Sequence, residues 1–166
     1  ENFTKLGDSF YYYTDDKLIV NQYTSSNVTW KDVKLKQETD IPNSDQAKFT
    51  VQLLNGKSSA AFDLRLRVPD WTMGAPAVKV NGTAQTVTVS NGYISLNRTW
   101  AEGDTVELTL PMGIRGYTLP DNAGTVYGFK YGPVVLAAEL GLDNKRGTYH
   151  IGVQCDVCQT TYNRTP

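Results

Sequence analysis

The sequence predicts an all-β, antiparallel sandwich of the jelly-roll kind, and three observations predict it. Apolar residues alternate with polar ones in most segments, turn chemistry interrupts them at short intervals, and no stretch between Asp8 and Leu140 carries a helix-length amphipathic repeat. The clearest segment is Phe62-Asp63-Leu64-Arg65-Leu66-Arg67-Val68, where every even position is apolar and every odd one charged. A strand with one buried face requires this pattern, because successive side chains leave it on opposite sides. Coiled into a helix, the same residues would put charge on every side.

The elements follow in chain order. Glu1 to Asp8 has helical spacing, with Phe3 and Leu6 three apart and Gly7 as a stop, but one or two turns do not hold alone. It reads as the remnant of a longer helix. Strands are predicted at Phe10 to Tyr13 and Lys17 to Tyr23 around the Asp15-Asp16 turn, then at Val28 to Lys31 and Val33 to Glu38. Phe49, Val51 and Leu53 mark the inward side of the next strand, and Asn55-Gly56 leads into Phe62 to Val68. Ala77 to Val80, Thr86 to Val89 and Tyr93 to Leu96 are separated by Asn81-Gly82 and Asn91-Gly92. After the Glu102-Gly103-Asp104 turn, Thr105 to Leu110 sends Val106, Leu108 and Leu110 inward. Thr125 to Lys130 and Pro133 to Leu140 flank the turn at Tyr131-Gly132-Pro133, and the unbroken apolar run of the latter reads as a central strand buried on both faces.

That makes roughly a dozen short strands. Asn-Gly pairs suit type I′ hairpins because both residues tolerate positive φ, so neighbouring strands are expected to be antiparallel, with parallel sheets and helical crossovers excluded. Residues 1–8 are then the helix remnant, 9–140 the sandwich and 141–166 a polar, divergent tail.

Composition excludes several classes. With 40% hydrophobic and 20% charged residues the chain is an ordinary globular protein, and sixteen Lys plus Arg against seventeen Asp plus Glu give a net charge of -1. Nucleic acid is not an expected partner without a concentrated basic surface. The longest apolar run, Val134 to Ala138, is too short to span a membrane. The chain opens at Glu1 with neither an initiator Met nor a signal-type segment, which reads as a terminus made by processing, proteolysis or design within a larger protein.

The search for chemistry finds little. Cys155 and Cys158 with His150 are weak metal candidates, since Cys-x-x-Cys is half a zinc site, but the sequence holds no other Cys or His to complete it. Two free or mutually bonded thiols are the plainer reading. His150 is also the one histidine available to a Ser-His-Asp arrangement, and no Gly-x-Ser-x-Gly elbow or phosphate-binding glycine pattern occurs. Asp15, Asp16, Glu102 and Asp104 sit in predicted turns, where capping explains them, and Glu139 ends the predicted buried strand. No catalytic residue and no cofactor is assigned to this chain. Trp30, Trp71 and Trp100 are carbohydrate-stacking candidates, with core or inter-domain packing ranked ahead of sugar binding. Chance accounts for most of the five Asn-x-Ser/Thr sequons.

Several short stretches occur in a distinctive order: Glu1 to Asp8, Leu18 to Tyr23, Thr29-Trp30-Lys31, Gln37 to Asp40 and Leu64-Arg65-Leu66-Arg67-Val68-Pro69-Asp70-Trp71. Val80-Asn81-Gly82, Gly92-Tyr93-Ile94, Arg98-Thr99-Trp100-Ala101-Glu102-Gly103-Asp104, Leu110-Pro111-Met112 and Tyr131 to Ala137 continue it. The series resembles the region that follows the catalytic barrel in the beta-L-arabinofuranosidase-like enzymes of glycoside hydrolase family 127 and its relatives, over roughly Glu1 to Leu140. The resemblance implies an (α/α) helical barrel followed by β-sandwich domains. Its cysteine nucleophile, zinc ligands and acid/base glutamate would lie in the barrel, upstream of residue 1, so none is carried over. Cys155 and Cys158 do not correspond to them, and any zinc belongs to the barrel.

The leading expectation is a non-catalytic accessory sandwich of a bacterial glycoside hydrolase, secreted or periplasmic rather than cytoplasmic. It would act on plant-type or arabinose-containing glycans and pack against the barrel. An autonomous carbohydrate-binding module and a cell-surface adhesion domain are the alternatives. Burial of the three indoles separates the first two, because a buried ring offers no platform.

Overall fold

The computed structural model describes residues 7–118, 127–137, 149–150 and 161–162. The alternating segments become strands, and the chain falls into two units, Glu1–Leu136 and Ala137–Pro166. In the first, β1 (Tyr11–Tyr13), β2 (Lys17–Val20), β3 (Ser26–Trp30), β4 (Val33–Thr39) and β5 (Gln46–Leu53) come in succession. Next are β6 (Ser59–Arg67), β7 (Ala77–Val80), β8 (Thr83–Gln85), β9 (Val89–Ser90), β10 (Tyr93–Ala101) and β11 (Thr105–Thr109). β12 (Ile114–Thr118), β13 (Tyr127–Tyr131) and β14 (Val134–Leu136) complete it. In the second unit β15 (Tyr149–His150) and β16 (Thr161–Tyr162) pair antiparallel.

Two sheets form the sandwich, one ordered β1-β2-β6-β10-β9 and the other β3-β4-β5-β11-β7-β8, while β12-β13-β14 make a third, separate sheet. The inward residues predicted from alternation line the core: Leu64 and Leu66 of β6 face Phe49 and Val51 of β5, and Val106, Leu108 and Leu110 are fully or almost fully buried with them. Each such side chain removed from water contributes about 1.5–3 kcal/mol before the loss of conformational entropy is counted.

Four expectations need correction. β2 and β6 run parallel, with Leu18 beside Leu64 and Val20 beside Leu66. The connection between them is not a helix but the whole of β3, β4 and β5, which lie in the opposite sheet, so a sandwich makes a parallel neighbour without a βαβ unit. Asn55-Gly56 has the positive φ values of a type I′ turn, 56° and 71°, yet joins strands of different sheets rather than a hairpin. Thr86 to Val89 is not one strand, because the chain there passes from β8 on one sheet edge to β9 on the other, with Val87 tucked against the core. Finally, Val134–Leu136 is a short exposed edge strand, not a central buried one, as far as the described residues extend. Continuous apolarity reports which residues seek cover, not whether this chain supplies it. Asn81-Gly82 and Asn91-Gly92 do close tight hairpins with both residues at positive φ.

Gln37 occupies an inward position of β4 between apolar neighbours and is 2% exposed. Its Nε2 donates to the carbonyls of Gln22 and Thr24 at 3.2 and 2.8 Å, which ties the crossover leaving β2 to the opposite sheet. Tyr23 in the same crossover packs edge-on against Phe49 and donates its hydroxyl to the Arg67 carbonyl. Burial pushes that hydroxyl far above the ordinary tyrosine range despite nearby Arg67. At another corner, Asn81 Nδ2 donates to Asp104 Oδ1 at 2.8 Å and the Thr105 amide donates to Asn81 Oδ1 at 2.8 Å. Asp104 Oδ2 accepts from the Ala101 amide. Burial opposes the Asp104 carboxylate, but the Ala101 amide, the Asn81 side chain and the charge of Arg98 outweigh it and hold the pKa below the ordinary Asp value.

Replacing Gln37→Leu leaves two carbonyls without their donor and should cost about 1–3 kcal/mol in urea unfolding. An unchanged midpoint would show that the crossover does not need the amide. Because the folded pKa of Asp104 is depressed, its stabilisation is complete above the unfolded value of about 3.9 and is lost as pH falls through the folded value. Asp104→Ala should therefore destabilise by about 1–2 kcal/mol at neutral pH, a gap that narrows as pH falls below the unfolded value and through the folded one. A pH-independent gap would refute the linkage.

Candidate functional site

The three candidate indoles do not form a platform. Trp100 is fully buried and Trp30 is 8% exposed, both in the sandwich core, while Trp71 is half-buried against it. Phe62 stands between the first two, its ring centroid 5.6 Å from each. Trp100 Nε1 donates to the Phe62 carbonyl at 3.1 Å. A cation lies over each ring, Arg98 5.1 Å from the Trp100 centroid and Lys31 5.0 Å from that of Trp30. The bulk that makes an indole a good sugar platform also makes it a good core residue, and inward positions on β3 and β10 decide for the core here.

His150 lies in β15, paired in register with Thr161, and Cys155 and Cys158 lie outside the described residues, as does Glu139. Among the described residues no group of three or more His, Cys, Asp or Glu is placed to hold a metal ion. No helix among them is long and apolar enough to cross a membrane. Glu102 accepts from the Leu53 amide, and Asp104 from Ala101 and Asn81, so these turn carboxylates cap backbone.

The outward faces of the two sandwich sheets differ in kind. On the six-stranded sheet, register aligns Glu38, Lys48, Glu107 and Lys79 across four strands as a ladder of alternating charge. An open groove of about 410 Å³ runs over it, lined also by Asp40 and Thr109. Lys34 and Lys36 extend this solvated surface.

The five-stranded sheet presents instead a pre-arranged polar network with aromatic and aliphatic members. Asp63 projects from this outer face yet is only 6% exposed. Its two oxygens accept from Arg65 Nε at 2.7 Å and Ser95 Oγ at 2.6 Å, and Ser95 stands opposite Arg65 in register. The bond through Nε leaves the two terminal nitrogens of Arg65 without a partner among the described residues. The same row continues through Ile19 to Tyr12, which is 47% exposed. One row away, Asn21 Oδ1 accepts from Arg67 Nη1 and the Tyr93 hydroxyl at 3.4 and 3.3 Å, while Asn21 Nδ2 donates to the Ser9 carbonyl. The odd-numbered charges of β6 were legible as outward-facing in the sequence. That Asn21, Tyr93 and Ser95 would join them was not, because strand order sets cross-strand neighbours.

The family model described as the beta-L-arabinofuranosidase, GH127 middle domain matches residues 17–112, from the start of β2 to just past β11. This chain belongs to that family. Among solved structures the middle domain is similar to a GH127 beta-L-arabinofuranosidase from Geobacillus stearothermophilus T6, at 31% identity and a TM-score of 0.72, over 81% of this chain and 22% of that one. A protein described as a glycoside hydrolase matches at 31% identity and a TM-score of 0.66, over 76% and 22%. A GH127 beta-arabinofuranosidase matches at 26% identity and 0.68, over 76% and 23%. The chain thus spans under a quarter of the length of these structures. No curated protein matches.

Asp63→Ala removes the acceptor shared by Arg65 and Ser95 and should cost about 1–3 kcal/mol, with Ser95→Ala costing about 0.5–1.5. A double variant no less stable than Asp63→Ala alone would show that Ser95 acts through Asp63, whereas simple additivity would dissolve the network.

Proposed function

We propose that this middle domain is the non-catalytic accessory sandwich of a glycoside hydrolase acting on arabinose-containing plant-type glycans, and that the outer face of its five-stranded sheet packs against the catalytic barrel. The observation that carries the packing half is the asymmetry of the two faces. Inter-domain and inter-protein surfaces favour Arg and aromatic residues and disfavour Lys and Glu. The face with Arg65, Arg67, Tyr12, Tyr93 and Ile19 has the first composition, and the Lys/Glu ladder has the second. Asp63 and Asn21 hold both guanidinium groups in place before any partner arrives, which lowers the entropic cost of docking. An acidic surface on the barrel suits those groups. The substrate half rests on the activities of two similar structures, a beta-L-arabinofuranosidase and a beta-arabinofuranosidase.

The sugar-binding alternative relied on the indoles, and with Trp30 and Trp100 inside the core it keeps only half-buried Trp71.

Two measurements test the reading. The chain by itself should not hydrolyse an aryl β-L-arabinofuranoside, and turnover that survives repurification would overturn the non-catalytic role. Arg65→Glu with Arg67→Glu should lower the melting temperature of the full-length enzyme by more than that of the isolated chain, where losing the partner of Asp63 alone costs about 1–3 kcal/mol. Equal effects in both contexts would mean that the arginines serve only the fold of the sandwich.

A further inference from the structure

Three Asn-Gly pairs occupy turns of positive φ, at Asn55-Gly56, Asn81-Gly82 and Asn91-Gly92, and all six residues are exposed. The dipeptide has a chemistry of its own. The glycine amide nitrogen can attack the Cγ of the asparagine before it, and glycine hinders that approach least because it carries no Cβ. A Cβ at any of the three glycines would meet no atom within 4 Å, so crowding does not tell the sites apart. Nor does any of the three glycine amides donate a backbone hydrogen bond among the described residues.

The asparagine carboxamides do differ. Asn81 is held at both ends, with Nδ2 donating to Asp104 Oδ1 and Oδ1 accepting from the Thr105 amide, each at 2.8 Å. Asn55 Nδ2 donates to Asp32 Oδ1 at 2.8 Å, and Lys57 holds the other oxygen of that carboxylate at 2.7 Å. No hydrogen bond fixes the Asn91 carboxamide among the described residues. To bring Cγ to the glycine nitrogen, the side chain must swing away from any partner. At Asn55 and Asn81 that breaks a bond to a charged carboxylate, and at Asn91 it breaks none.

We propose that Asn91 is a site of spontaneous modification to isoaspartate, and that the modification releases β9 from the edge of the five-stranded sheet. The Gly92 nitrogen gives up its proton and bonds to Asn91 Cγ, the carboxamide nitrogen leaves as ammonia, and a five-membered imide closes. Water then opens the ring. Attack at Cγ gives aspartate, and attack at the backbone carbonyl carbon gives isoaspartate, in which the chain runs through the former side chain. One water is taken up and one ammonia lost, with no change of oxidation state. Isoaspartate lengthens the backbone by one methylene inside a two-residue turn that needs both residues at positive φ, 50° and 79°. β9 is only Val89–Ser90, held through that turn by the pairs Tyr93 with Ser90 and Ile94 with Val89. The Gly92 carbonyl also accepts from the Val68 amide at 2.7 Å, a bond that the longer turn displaces.

The unaltered chain, kept folded under mildly alkaline conditions, tests this by peptide mapping with mass spectrometry, isoaspartate being identified by enzymatic methylation of its free carboxylate. Asn91 should convert at least about tenfold faster than Asn55 or Asn81, the factor imposed when one hydrogen bond to a charged group must break first. In the converted fraction the Val68 amide should exchange its hydrogen faster. Similar rates at all three sites, or a slower rate at Asn91, would overturn the assignment. Unchanged exchange at Val68 would overturn the release of β9. Asp32→Ala frees the Asn55 carboxamide, whose conversion should climb toward that of Asn91 while Asn81 stays slow. An unmoved rate at Asn55 would count against the protecting bond, and so would a joint rise at Asn55 and Asn81, since general loosening would then set the rates.

Discussion

Phe62 between Trp30 and Trp100 is the contact on which the sandwich depends. Trp30 comes from one sheet and the other two from its partner, so the stack bridges the layers with three large rings rather than aliphatic tips alone. The Trp100 indole nitrogen satisfies the Phe62 carbonyl, which leaves no polar atom of that ring unpaired in the core. Aliphatic alternation on β5, β6 and β11 then fills the remaining interlayer space. The same stack explains why Trp30 and Trp100 offer no platform to anything outside it.

With the inner faces committed to each other, any partner must be met on the outer faces, and these are unequal. A ladder of Glu38, Lys48, Glu107 and Lys79 is content in water, because each charge has an opposite neighbour and long side chains stay hydrated. A nearly buried Asp63 held by Arg65 and Ser95 is a different kind of surface, ordered in advance and low in lysine. The chain belongs to the GH127 middle-domain family and spans under a quarter of each similar structure. In the reading proposed above, the Asp63 face is where this middle domain meets the rest of a larger glycoside hydrolase.

Much of this was legible in the residues. Period-two alternation at Phe62 to Val68 and Thr105 to Leu110 set both the strands and their inward sides, since strand geometry leaves only two directions for a side chain. Asn81-Gly82 and Asn91-Gly92 announced their hairpins through positive φ, a property of the dipeptide itself. Residue order also carried the family. All of these are local or one-dimensional signals, readable without knowing which strand lies beside which.

Pairing across the sandwich was decided only by the tertiary structure. The parallel contact of β2 with β6, the corner at Asn55-Gly56 and the clamp of Gln37 on Gln22 and Thr24 each join residues whose proximity depends on how the chain crosses between layers. The candidate face has the same origin, because Asp63, Ser95 and Asn21 become neighbours through strand order and register. The apolar run at Val134 shows the division most plainly. Its sequence determined that the strand needs cover on a hydrophobic side, and only the placement of β14 at a sheet edge decided that, among the described residues, the cover is not supplied, since burial belongs to the assembled layers rather than to the strand.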